Sequence, residues 1–225
     1  MAKKGLSRLF MAEYEYSEET KKVTYTNGCE NEKLASYSTE ISSSEASNLY
    51  LNNGIAETEG GTFTNGTLTL ETGDLSPETS KMMCGLKSNE ITLDDSSQTK
   101  VTETIWDDDL HPVNLGVGLI ELHQKNGVEF HRAVILPKVF FNIPSGSATT
   151  KGETVEWQTQ ETSGVINRSD EVDETTKHNH PWQLHADCES EETAVAYIKK
   201  VLNITDPVQK ASAPQSESGT NADQA

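Results

Sequence analysis

Residues 115–136 read LGVGLIELHQKNGVEFHRAVIL. Two β-prone arms, 118–122 and 130–136, flank Asn126-Gly127, a pair that accepts the positive φ angles of a two-residue hairpin turn. A β-hairpin is therefore expected here, and Val139, Phe140 and Phe141 should continue its second arm beyond Pro137. Working outward, the rest of the chain has to supply partners for this hairpin.

Towards the C-terminus a polar link at 144–152 leads to 153–160, where alternation puts Val155, Trp157 and Thr159 on one face of a strand. Towards the N-terminus, strands are expected at 8–16, 22–25 and 33–41, with turns at Asn27-Gly28 and Asn52-Asn53-Gly54. Asn65-Gly66 should open another strand at 67–71, with Leu68 and Leu70 on one face and threonines on the other. Residues 87–112 read as a polar insertion or loop with weak strands near 91–93 and 101–106, and 167–180 as an exposed acidic loop.

Two helices interrupt this pattern. Ser76-Pro77-Glu78 combines a capping hydroxyl, a first-turn proline and an early acid, and Gly85 is the natural stop, so a short helix is expected at 77–84 with Met82 and Met83 packing inward. Ser190 caps a second, at 191–202, with acids at its start, Lys199 and Lys200 near its end and Ala194, Ile198 and Val201 along one face. Asp206-Pro207 ends it, and 206–225, rich in Ala, Ser and Gln, reads as a disordered tail. The expectation is a mainly β fold, one domain over 1–205 and a basic arm at 1–8.

Composition narrows the function. The chain of 225 residues carries 36 acids against 18 Lys and Arg, a formal charge of -18, so its average surface repels phosphate. Only 33% of residues are hydrophobic, which suits half-exposed sheets better than helical bundles. Cys29, Cys84 and Cys188 form no CxxC pair and indicate neither a disulfide framework nor a zinc knuckle. The apolar run at 9–12 is too short for a secretion signal, and no stretch is long enough for a membrane helix, so no membrane partner is expected.

Motifs for catalysis and for cofactors are missing: there is no GxSxG elbow, phosphate-binding glycine loop or HExxH. No catalytic residue and no cofactor is expected. His178, His180, His185 and Cys188 are the metal candidates, because imidazole and thiolate ligate zinc, yet their spacing matches no standard site. The plain alternative is a surface loop that ends by burying Trp182.

The blocks LYLNNG (49–54), GTLTL (66–70), GDLSPE (73–78), NG (126–127), TKGETVEWQT (150–159) and HPW (180–182) occur in this order, after an opening strand at 5–14. This ordered set resembles the major tail proteins of long-tailed bacteriophages, the phi13-type family. The resemblance covers about residues 5–202 and lapses at 87–111 and after 206; its specificity lies in the order, since each block alone is short.

It implies a β-sandwich or partly closed barrel flanked by a helix, forming hexameric rings that stack into a tail tube for double-stranded DNA. The implied partners are copies of the chain, other tail proteins at the tube ends, and DNA passing without specific binding. The implied location is the virion tail, after synthesis in the bacterial cytoplasm. An acidic lumen would repel phosphate, so a strand face rich in Glu and Ser or Thr should line the channel. Lys3, Lys4 and Arg8 could dock the arm on an acidic neighbour.

A different class of reading is a small-oligomer β-sandwich that binds carbohydrate or a receptor, with Trp106, Trp157 and Trp182 as stacking platforms. A hydrolase using acids at 107–109 is a third reading, without a supporting motif.

Overall fold

The computed structural model describes residues 2–30, 33–73, 75–93, 98–146, 150, 159–173 and 178–205. In chain order these form β1 (Ala2–Ser17), β2 (Lys22–Glu30), β3 (Leu34–Ser43), β4 (Ser47–Leu51), β5 (Gly54–Glu59), β6 (Phe63–Thr72) and α1 (Pro77–Cys84). There follow β7 (Lys87–Thr92), β8 (Lys100–Ile105), β9 (Leu115–Lys125), β10 (Val128–Phe141), β11 (Gln160–Asn167), β12 (Val172–Asp173), β13 (His178–Asn179), β14 (Leu184–Cys188) and α2 (Glu191–Val201). The chain is mainly β, as its composition implies.

The hairpin that anchors the sequence reading is the centre of the fold. Asn126 and Gly127 take φ of 51° and 83°, and β9 and β10 pair antiparallel on either side of them. Strands add outward in the order β2-β1-β9-β10-β11-β6-β3, with β14 also alongside β10. The sheet does not close into a barrel. It curls instead: Leu9 and Met11 of β1 meet Leu68 and Leu70 of β6 in one buried cluster, although four steps of the strand order separate them.

Pro137 explains how one strand serves two neighbours. β10 pairs with β14 over 131–135 and with β11 over 138–141, and the register to β9 shifts between Leu136 and Val139. Proline has no N–H to give a ladder, so it sits where the partner changes. Tyr25 Oη donates to its carbonyl at 3.1 Å.

Alternation gives the curled sheet two cores. The concave side buries Leu115, Val117, Leu136, Val139, Phe141 and Ile166 under Met83, Cys84 and Leu86. α1 seals it, with Ser76 accepting from the Thr79 N–H at 3.2 Å and Gly85 left-handed at φ 67°, the capping expected from the sequence. The convex side of β1, β9 and β10 buries Phe10, Ala12, Ile120, Ala133 and Ile135 under α2. On α2 the buried positions are Ala194 and Ile198, continued at the same spacing by the cap residue Leu202; Val201 lies at the flank of that stripe and is half-buried.

Some expectations are corrected. Residues 2–8 are the first half of β1, paired to β9, rather than an arm. Asn27-Gly28 is a bulge inside β2, not a turn, because Met11 opposes Cys29 while Glu13 opposes Thr26. Asn65-Gly66 lies within β6, which begins at Phe63. The loop at 167–180 contains the β12–β13 ladder and a buried Ser169. The strands expected near 91–93 and 101–106 are present at 87–92 and 100–105, as the paired β7 and β8 of one hairpin. The strand expected at 153–160 falls outside the described residues apart from its end, where Gln160 opens β11, and the tail at 206–225 also lies outside them.

Candidate assembly surfaces and an ionic cluster

The two wings of the sheet differ on their convex side. α2 covers β1, β9 and β10, whereas the register of β11, β6 and β3 brings three rows together there: Glu161, Ser163 and Val165; Glu71, Thr69 and Thr67; Ser36, Ser38 and Glu40. None of these nine positions carries lysine or arginine, and none is buried. Hydroxyls hold Glu71 in place: Thr159 Oγ1 and Ser36 Oγ donate to it at 2.6 and 2.7 Å, and these bonds hold its carboxyl below the usual carboxylate range. Sequence alternation suggests such a face within residues 67–71. Which strands extend it depends on pairing across the whole chain.

The sheet also ends in open edges. Among the described residues, β2 and β3 each have a strand on one side only, leaving a row of backbone groups able to pair with another chain. Outside the main sheet stand two hairpins, β4–β5 and β7–β8, each a sheet of two strands. In β4–β5 every residue is exposed, and Tyr50 pairs across from Ile55 on one face while Leu49 and Leu51 lie on the other. Tyr50 is 63% exposed and Leu51 58%. The second hairpin likewise exposes Ile91 and Val101, paired across its strands. An isolated two-stranded ribbon is marginal in water, so one with apolar side chains exposed on both faces is a candidate contact surface.

The densest ionic chemistry lies on the concave side of the other wing. Glu121 is 3% exposed and continues the inward row Leu115, Val117 and Leu119. Lys3 Nζ and Tyr37 Oη donate to its carboxylate, and His123 Nε2 donates at 2.7 Å. The His123 ring stacks on Phe130 at 5.3 Å. Across the strand, Arg132 stands opposite Glu121 and is held bidentately by Asp187, at 2.6 and 3.0 Å, with His185 beside them on β14. A lone glutamate in an otherwise apolar arm is the sequence signal for this cluster.

Burial pushes the Glu121 carboxyl up, but the bonds from Lys3, Tyr37 and His123 outweigh it and leave the group below its usual range. A depressed carboxyl adds stability above the unfolded value of about 4.3, and that stability is lost as pH falls through the lower folded value. Glu121→Gln, which keeps the shape without the charge, should therefore flatten the acid side of a plot of melting temperature against pH. An unchanged slope below about pH 4.3 would show that Glu121 is not the group concerned.

Lys3, Lys4 and Arg8 come to rest on this chain's own acids: Lys3 on Glu121, Lys4 on Glu129, and Arg8 on Glu30 and Glu191 at 3.1 and 3.0 Å. The metal candidates are not gathered. His180 Nδ1 is bonded to the Ser169 carbonyl at 3.0 Å, His178 lies in β13, and His185 is exposed on β14 while Cys188 points through that strand into the α2 core. Among the described residues no group of three His, Cys, Asp or Glu side chains could hold a metal. Trp182 stacks flat on Phe63 at 4.7 Å, Trp106 is half-exposed, and Trp157 lies outside the described residues. No described helix is long and apolar enough to cross a membrane. No family model matches the sequence, and no curated protein matches it.

Proposed function

We propose that this chain is a structural subunit of a bacteriophage tail tube, which associates head-to-tail into hexameric rings that stack around a channel for double-stranded DNA. The observation that carries the reading is the α2-free face of β3, β6 and β11, whose rows of Glu, Ser and Thr, with Val165, hold no lysine or arginine among the described residues. A wall of this kind repels phosphate at short range and gives DNA nothing to bind. The open edges of β2 and β3 suit a heterologous contact, in which one surface meets a different one on the next copy and the ring closes without a free edge. The β4–β5 and β7–β8 hairpins then supply apolar area between copies or between rings. Other tail proteins would meet the tube at its ends, within the virion tail.

The resemblance of the ordered sequence blocks supports the same reading. Negative-stain electron microscopy of the purified protein tests it, with hollow tubes or six-fold rings expected. Uniform monomers across salt and concentration would overturn it. A sugar-binding small oligomer is less well supported, since stacking on Phe63 already occupies one face of Trp182.

A further inference from the structure

The first half of β1 is fastened differently from the second. Residues 9–12 are fully buried, whereas none of residues 2–8 is, and Ala2, Lys3, Lys4 and Arg8 are exposed. The boundary coincides with a bulge: the register to β9 shifts between Ser7 and Leu9, at Arg8, whose φ is 51°. A second shift, between Lys3 and Gly5, sets residues 5–7 apart from the start of the strand. These bulges place Lys3, Leu6 and Leu9 opposite the inward-facing His123, Glu121 and Leu119.

Side-chain attachment of this half is almost wholly ionic. Lys3 reaches Glu121 on β9, Lys4 reaches Glu129 on β10, Arg8 bridges Glu30 on β2 and Glu191 on α2, and Ser7 Oγ donates to Glu191 at 3.0 Å. The lysine and arginine side chains are 41–56% exposed, and the acids of the Lys4 and Arg8 pairs are exposed too, so salt reaches those two directly; the acid held by Lys3, Glu121, is buried and is screened less. Leu6 is half-buried, and full apolar burial, which salt does not weaken, begins at Leu9.

We propose that residues 2–8 form a strap, latched over the end of β9 by Lys3, Lys4 and Arg8, that opens as a unit at the Ser7–Leu9 bulge while 9–17 stay in place. Opening leaves Ile120–Gln124 of β9 as a free strand edge, so the latch decides whether that edge is covered. The strap does not depend on the tail-tube reading and exists in a lone copy of the chain.

Hydrogen–deuterium exchange on the whole protein tests it. Screening lengths fall from about 30 Å at 0.01 M salt to about 3 Å at 1 M, so the amides of 2–8 should exchange about tenfold faster at high salt. Those of 9–17 should not change. The triple variant Lys3→Gln, Lys4→Gln, Arg8→Gln alters only exposed side chains and should show the fast exchange already at low salt. If 2–8 and 9–17 exchange together, the strap is not a separate unit and the proposal fails. It also fails if neither salt nor the triple variant speeds residues 2–8.

Discussion

Ile198→Ala should destabilise the fold by about 2–5 kcal/mol, the range for deleting a large aliphatic side chain from a core that cannot collapse. Ile198 is fully buried on the inner stripe of α2, between Ala194 and Leu202. Its fit is set by the sheet beneath: a Cβ added at Gly118 would lie 2.6 Å from Ile198 Cγ2, and one at Gly116 would lie 2.7 Å from Leu202 Cδ2. The glycines in LGVG thus form a track in which the helix lies unusually close to β9. Truncating Ile198 leaves that track with no side chain of its own to fill the space. In a chain of this size the loss corresponds to a fall of about 4–20 °C in melting temperature. Lys200→Ala on the exposed side of the same helix should stay within about 0.5 kcal/mol. Equal effects of the two variants would mean that α2 is not docked as described.

The second large effect is on assembly. Leu49→Ser, Tyr50→Ser and Leu51→Ser together remove the apolar side chains of β4 from both faces of its hairpin. All three are more than half exposed, so the monomer should melt within about 1 °C of the unaltered chain, as exposed substitutions away from any core do. The rings and tubes proposed for the unaltered chain should nevertheless be missing from electron micrographs of the variant, and sedimentation should show a single small species. Tubes that persist in the triple variant would remove β4–β5 from the contact between copies. A variant that fails to fold would show that the hairpin packs on its own domain, contrary to its exposure.

Local rules carried much of the fold. The caps at Ser76 and Ser190, the Asn126-Gly127 turn and the Leu68 and Leu70 alternation are all set within a few residues, and each reappears in the structure. What local rules could not supply is partner choice. Asn27-Gly28 has the residues of a turn, yet β2 continues through it because β1 pairs on both sides of the bulge and Ile204 comes to lie against Gly28. The basic start has the composition of a loose arm, yet Glu121, Glu129, Glu30 and Glu191, all distant in sequence, hold it to the sheet. The acidic face of β11, β6 and β3 is the same kind of case: each strand shows its own alternation, but only long-range register brings Glu161, Glu71 and Ser36 side by side.

The partner change at Pro137 has a mechanical consequence. β10 runs 14 residues, about 46 Å of extended chain, and along that length is bonded to β9 on one side and successively to β14 and β11 on the other. A pull along the strand axis therefore loads three ladders in shear at once, and they must yield together rather than unzip one bond at a time. β10 acts as a tie rod through the sheet, and tension applied at the Asn126-Gly127 turn reaches the β11 wing without crossing a loop.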